Sequence, residues 1–386
     1  MKQVKNISLL LLSVLMATSC SNEEVPDTPI NNELVELGVT AGVSLTKSAI
    51  HADTHVDFTS IAVYASGTGY SDANKNNAAI YTKSGDSWGN NESNKIMLSN
   101  EEATIYAIYP SKDASNADWS ITDPTTESTI SIKVFQKDNT IANNNIITVP
   151  AETPATESPA TILSALGEID YMYGVDNANG TALATASNKT GKSAVELKMK
   201  HALAMVSFRI YNDGTYSGEG HLTEIKLSNV SGTSLNAGSD PKMKISDGTI
   251  TAGVGSAATY TRVIKTAGAP GSDYYKLGKV TAAGSGSGAG TASNIKGKAP
   301  KFSILVFPIL TASSVNANTI QVTFKIDDVE HTVPLAADTD TSTKLNFAAG
   351  TNSLYTAVLS GKGLSITSVA VADWGETEVS GDLGVD

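Results

Sequence analysis

The sequence predicts an all-β protein built from sandwiches, on three observations. Apolar residues recur at every second position in many short segments. Stretches rich in glycine, asparagine, serine and proline separate those segments. No long helical stripe alternates with the strands, as a parallel α/β sheet would require. The length of 386 residues suggests two domains, and it is enough for two cores without disulfide support.

The elements follow in chain order. Lys2 and Lys5 precede an apolar stretch from Ile7 to Met16 that is too short to span a bilayer, and Ala17, Thr18 and Ser19 lead into Cys20. This resembles a bacterial lipoprotein signal over residues 1–19, with Ala17 where the motif usually has leucine. Cys20 is the only cysteine, so an exported chain has no disulfide to form, and a lipid thioether is the natural use of the thiol. Residues 20–33 form an acidic linker after it, and Ser21–Glu24 resembles the acidic export tag of surface lipoproteins. Without residues 1–19 the chain keeps 25 of its 27 basic residues against 39 acidic ones, a net charge of −14. Nucleic acid and anionic headgroups are therefore poor partners for the body. Arg209 and Arg262 are the only arginines, so there is no arginine cluster to grip phosphate.

The first strand is the cleanest. In "LVELGVTAGVSLTKSA" Val35, Leu37, Val39, Ala41, Val43 and Leu45 alternate strictly, and Lys47 and Ser48 follow directly. Eleven residues extend roughly 36 Å at ~3.3 Å each, long for a strand. Burying six such side chains gives on the order of 6–12 kcal/mol before ordering costs. The same alternation predicts strands around 61–65, 105–109 and 130–134, then around 195–199, 204–210 and 320–326. "FSILVFP" is a continuous apolar run closed by Pro308, as for a core strand. The small polar segment 177–193 is the expected break, giving one sandwich over 34–182 and a second over 190–386; the Gly/Ser-rich 284–294 reads as a long loop.

Catalytic chemistry is sought and not found in the pattern. His51 and His55 have helical spacing for zinc but no helical stripe and no adjacent glutamate, so they read as loop histidines. His201, between two apolar strands, reads as a structural histidine held at a strand turn. "GSGSGAG" has no helix start after it and reads as linker rather than phosphate cradle. No nucleophile elbow occurs, and the carboxylates show no pairing for glycoside hydrolysis. The sequence predicts no enzyme, no metal and no cofactor.

Four stretches carry a resemblance: "KMKHALAMVSFRIYN" (198–212), "IDYMYG" (169–174), "FSILVFPI" (302–309) and "FAAGTNSLYTAVLSGKGLSITSVAVADW" (347–374). In this order they resemble the fimbrillin family, the type V pilins. The resemblance implies two transthyretin-like β-sandwich domains in tandem, export as a precursor held to outer-membrane lipid through Cys20, and a cut by a trypsin-like processing protease. The cut would fall after Lys47, leaving Ser48 as the new N-terminus, although the family commonly presents arginine there. The lost first strand, 34–46, would open a groove for an extended segment of a neighbour, and the tail residues Val379, Leu383 and Val385 are the candidate donor. The implied partners are copies of this chain and related pilin subunits in a cell-surface fimbria. The alternative is a permanently anchored surface lipoprotein, either a fimbrial anchor or an adhesin with Trp88 and Trp119 as contacts for glycans or host proteins.

Overall fold

A computed structural model describes residues 34–43, 58–67, 70, 77–90, 95–113, 115–121, 124–136, 144–150, 162–176, 181–184, 193–253, 255–268, 273–282, 288–309, 315–335, 344–345 and 347–374. Over these residues the chain is almost entirely β, arranged in sandwich-like sheets.

The largest sheet runs in the order Gly38–Val43, Ala194–His201, Met172–Asp176, Ala103–Tyr109, Ser60–Ser66, Ala78–Ser84, Ser87–Gly89, and Ala182–Ala184 also pairs with Ala103–Tyr109. Both of its faces are covered. Ile61, Val63 and Ala65 pack in one apolar cluster, while their neighbours Ala62 and Tyr64 pack in another. Alternation in the sequence thus separates two cores rather than core from solvent along this strand. The sheet also curls, so that its last strand approaches its first and the Trp88 indole N–H donates to the Ala41 carbonyl at 2.9 Å.

Two further sheets stack over the larger cluster. One orders Ile162–Leu163, Lys301–Val306, Ala204–Asn212, Thr351–Ser360 and Gly363–Asp373. The other orders Val329–Pro334, Ile320–Ile326, His221–Asn229, Thr259–Thr266 and Ile146–Val149. Phe208 of the first meets Phe324 of the second edge to face, ring centroids 5.8 Å apart, and Tyr275 meets Phe302 at 5.7 Å. Interdigitated aromatic and branched side chains of this kind form the interior of a sandwich.

The ladders cross the 177–193 interval in both directions. Ala194–His201 pairs with Met172–Asp176 in the first sheet, while Ile146–Val149 pairs with Thr259–Thr266 and Ile162–Leu163 with Lys301–Val306. At the glycine-rich run the structure corrects the sequence reading. A helix, Ala292–Lys298, begins directly after the glycine-rich run, with Thr291 as its N-cap. Its seven residues bury no side chain, so no apolar stripe marked it.

Candidate functional site

The first strand occupies a slot built from four elements, Met97–Leu98, Ala194–His201, Ala78–Ser84 and Ser87–Gly89. It divides at Leu37. Val35–Glu36 pairs antiparallel with Met97–Leu98, and Gly38–Val43 pairs parallel with residues 194–199. The division has a simple cause: the Leu37 N–H donates to the Ile96 carbonyl at 2.9 Å, and the Gly38 N–H donates to Ser193 on the opposite side at 2.8 Å.

In a parallel ladder only alternate residues turn their peptide groups toward a given neighbour. Gly38, Thr40 and Gly42 face the Ala194–His201 strand in this way, so Leu37 and Ala41 turn theirs outward. Side chains meet them there. The Tyr81 hydroxyl donates to the Leu37 carbonyl at 2.8 Å, and Trp88 donates to Ala41 as described above. Burial, and then the Glu36 carboxylate, push the Tyr81 hydroxyl well above its ordinary pKa of 10.0, so it remains a donor. At the entrance Lys95 Nζ lies 2.7 Å from Glu36 Oε2, both side chains being substantially exposed.

The core-facing side chains close the smaller apolar cluster. Leu37 is 1% exposed and Val39 5%, and Val35 and Ala41 pack against the same cluster from partly buried positions. Leu37 and Val39 together contribute about 3–6 kcal/mol by burial, an upper figure. Val43 pairs with Met199 at the end of the ladder. Cys20, Leu45, Lys47, Ser48, His51, His55, Val379, Leu383 and Val385 lie outside the described residues.

Two buried polar clusters hold the body of the fold. The Arg262 side chain is fully buried; its Nε donates to Glu168 Oε1, its Nη1 to the carbonyls of Gln136 and Thr261, and its Nη2 to the Phe135 carbonyl and Glu168. These five contacts match its five N–H donors. Glu168 Oε2 in turn accepts the Leu305 N–H at 3.3 Å. His201 ends the strand that holds the slot: its Nδ1 lies 2.9 Å from the buried Asp170 carboxylate, and its ring stacks on Trp374 with centroids 4.1 Å apart. Sequence reasoning placed His201 in a structural role but could not name either partner, since both are distant in the chain. It also missed Tyr81 as a donor.

Trp88 and Trp119 are both engaged. Trp88 packs beside Phe58 at 5.1 Å, and the Trp119 indole N–H donates to the Pro110 carbonyl at 2.9 Å. Arg209 and Arg262 are 3% and 0% exposed. Among the described residues no three histidines, cysteines or carboxylates gather to hold a metal ion.

Over the described residues the chain is an all-β protein of sandwich-like sheets whose first strand lies between the edges of a curled sheet. The chain belongs to the fimbrillin-like family, whose model matches residues 48–374. Among solved structures it is similar to a putative cell adhesion protein from Bacteroides uniformis, at 16% identity and a TM-score of 0.50, covering 88% of this chain and 99% of that one. It is likewise similar to a putative cell adhesion protein from Bacteroides ovatus, at 14% identity and a TM-score of 0.51, covering 89% and 99%. A fimbrial protein from Bacteroides vulgatus aligns at 15% identity and a TM-score of 0.48, covering 88% and 99%. No curated protein sequence matches the chain.

Proposed function

We propose that this chain is a structural subunit of a cell-surface fimbria, exported as a precursor lipidated at Cys20, cut after Lys47, and polymerised by strand exchange between subunits. The observation that carries the reading is the slot: a continuous apolar segment lies at a sheet edge, buries Leu37 and Val39, and is gripped from both sides. Its withdrawal exposes the edge of Ala194–His201 and an apolar cavity, which together make a template for a strand in trans. The family match begins at Ser48 and ends at Trp374, and so leaves out both the strand to be lost and the tail bearing Val379, Leu383 and Val385. Two tandem sandwich domains of transthyretin type, meeting near 182–190, belong to the same reading. Its role is mechanical: side chains that could have served as catalytic groups, His201 and Glu168 among them, are occupied by buried partners.

Lys47 tests the mechanism. No other lysine or arginine lies between Cys20 and Lys75, so the Lys47→Ala chain stays monomeric under limited trypsin while wild type forms ladders. Filaments assembled by uncut Lys47→Ala protein would show that the first strand never has to leave. The mass of the natural mature N-terminus separates the roles: Ser48 marks a processed subunit, whereas Cys20 with its lipid marks a permanent anchor or adhesin.

A further inference from the structure

We infer that the slot selects the order acid, leucine, glycine, valine, and that it takes Asp382, Leu383, Gly384 and Val385 from a second copy of the chain. This rests on the strand-exchange reading and assigns its register. The resident segment Glu36, Leu37, Gly38, Val39 has this order, and the order recurs only at 382–385.

Each of the four positions meets a physical demand. The first faces Lys95, which holds the Glu36 carboxylate at 2.7 Å. That exposed pair adds little affinity but favours an acid over a base. At the second, Leu37 is almost wholly buried in the smaller cluster, and its carbonyl receives the Tyr81 hydroxyl. The third lies opposite Ala194, where a Cβ on residue 38 would sit 3.0 Å from the Ala194 Cβ. Ala194 has no rotamer with which to retreat, so glycine fits best there. The fourth holds Val39 at 5% exposure. Asp382, Leu383, Gly384 and Val385 satisfy the four demands in sequence. The Tyr81 bond reads a backbone carbonyl, which a guest strand offers again two residues along, so the register is set by the acid, leucine, glycine and valine positions.

The path of the chain favours a second copy over self-insertion. Trp374 is stacked on His201, at the far end of the strand from Ala194. Seven residue-to-residue steps separate these ends, roughly 23 Å at ~3.3 Å per residue. The resident strand runs parallel to Ala194–His201. The chain's own tail would therefore have to cross that distance and then reverse direction within the ten residues from Trp374 to Gly384. A neighbour's tail enters in the parallel sense without the detour.

The test uses the full-length chain cut by limited trypsin and scored for ladders on unheated gels. Gly384→Val lowers ladder yield by roughly tenfold or more, since the added branch meets Ala194, and Ala194→Gly in the same chain restores it. As a control on the slot itself, Gly38→Val in the uncut chain speeds amide exchange across 34–43 by about the same factor, again reversed by Ala194→Gly. Undiminished ladders from Gly384→Val, or a loss that Ala194→Gly does not repair, overturn the register and leave strand exchange standing. If cut wild type forms no ladders, strand exchange fails and this inference with it. A cut monomer whose residues 194–199 remain protected would show self-insertion and remove the second copy.

Discussion

Leu37→Ala measures whether the first strand can open while the rest of the protein stays folded. The leucine is 1% exposed and supplies the larger of the two fully buried side chains of the resident strand. Leucine-to-alanine changes in cores cost about 2–5 kcal/mol, less where the site can collapse. A slot at a sheet edge can relax, so we work with about 2–3 kcal/mol. If opening of 34–43 is a local event, that loss falls on the opening equilibrium alone, and exchange of its protected amides rises roughly 30- to 150-fold at about 1.4 kcal/mol per decade. The assay is hydrogen exchange with mass spectrometry on intact protein, comparing peptides over 34–43 with peptides over the central strand Ala103–Tyr109. The central strand is expected to change little. Equal acceleration in both peptides would mean that the strand opens only when the whole sheet unfolds, and the idea of a segment that departs from a folded body would be refuted.

Two further outcomes test the bracing. Glu168→Gln leaves the fully buried Arg262 guanidinium without its counter-charge, and we expect a loss of about 3–5 kcal/mol in urea denaturation; replacing both residues, as Arg262→Met with Glu168→Leu, should recover much of it, and a double variant no better than the single would contradict the account. His201→Phe keeps a ring to stack on Trp374 but strips Asp170 of its partner, so it should cost roughly 2–4 kcal/mol. Adding Asp170→Leu should return part of that loss; thermal midpoints of the single and double variants decide the matter.

The strands were legible because period-two alternation survives folding. "ATIYAIYP" became Ala103–Tyr109, the alternation at Val195, Leu197 and Met199 became Ala194–His201, and the run "FSILVFP" supplied Lys301–Val306. What alternation reports is which face a residue occupies, not which strand lies beside it. The pairing of Ala194–His201 with both the first strand and Met172–Asp176 had no signature in local sequence. "TISIKVF" shows the limit from the other side. Only Thr129–Ser131 joins a ladder; beyond it the Phe135 carbonyl accepts from Arg262, and the next carbonyl, of Gln136, accepts from both Arg262 and the Thr261 N–H. A fully buried guanidinium shares the second of these carbonyls with the backbone of the neighbouring strand, and no pattern of apolar residues announces that. At the slot, the apolar face of the first strand was readable, whereas the donors that grip its outer edge were not, because Tyr81 and Trp88 belong to other strands and act on backbone carbonyls.

The placement of the two arginines has a consequence for resistance to proteolysis. Arg262 is wholly enclosed and Arg209 is 3% exposed, so an endoprotease that requires arginine at its cleavage site finds nothing to engage on a folded copy. It can act once a copy has lost its sandwich interior, where cleavage after 209 or 262 would sever the chain within the strands Ala204–Asn212 and Thr259–Thr266. Lysine-directed proteases meet a different molecule, since every basic residue besides the buried arginines and the histidines is a lysine. An arginine-directed protease is therefore expected to digest unfolded copies far faster than folded ones, because only the unfolded chain presents an arginine.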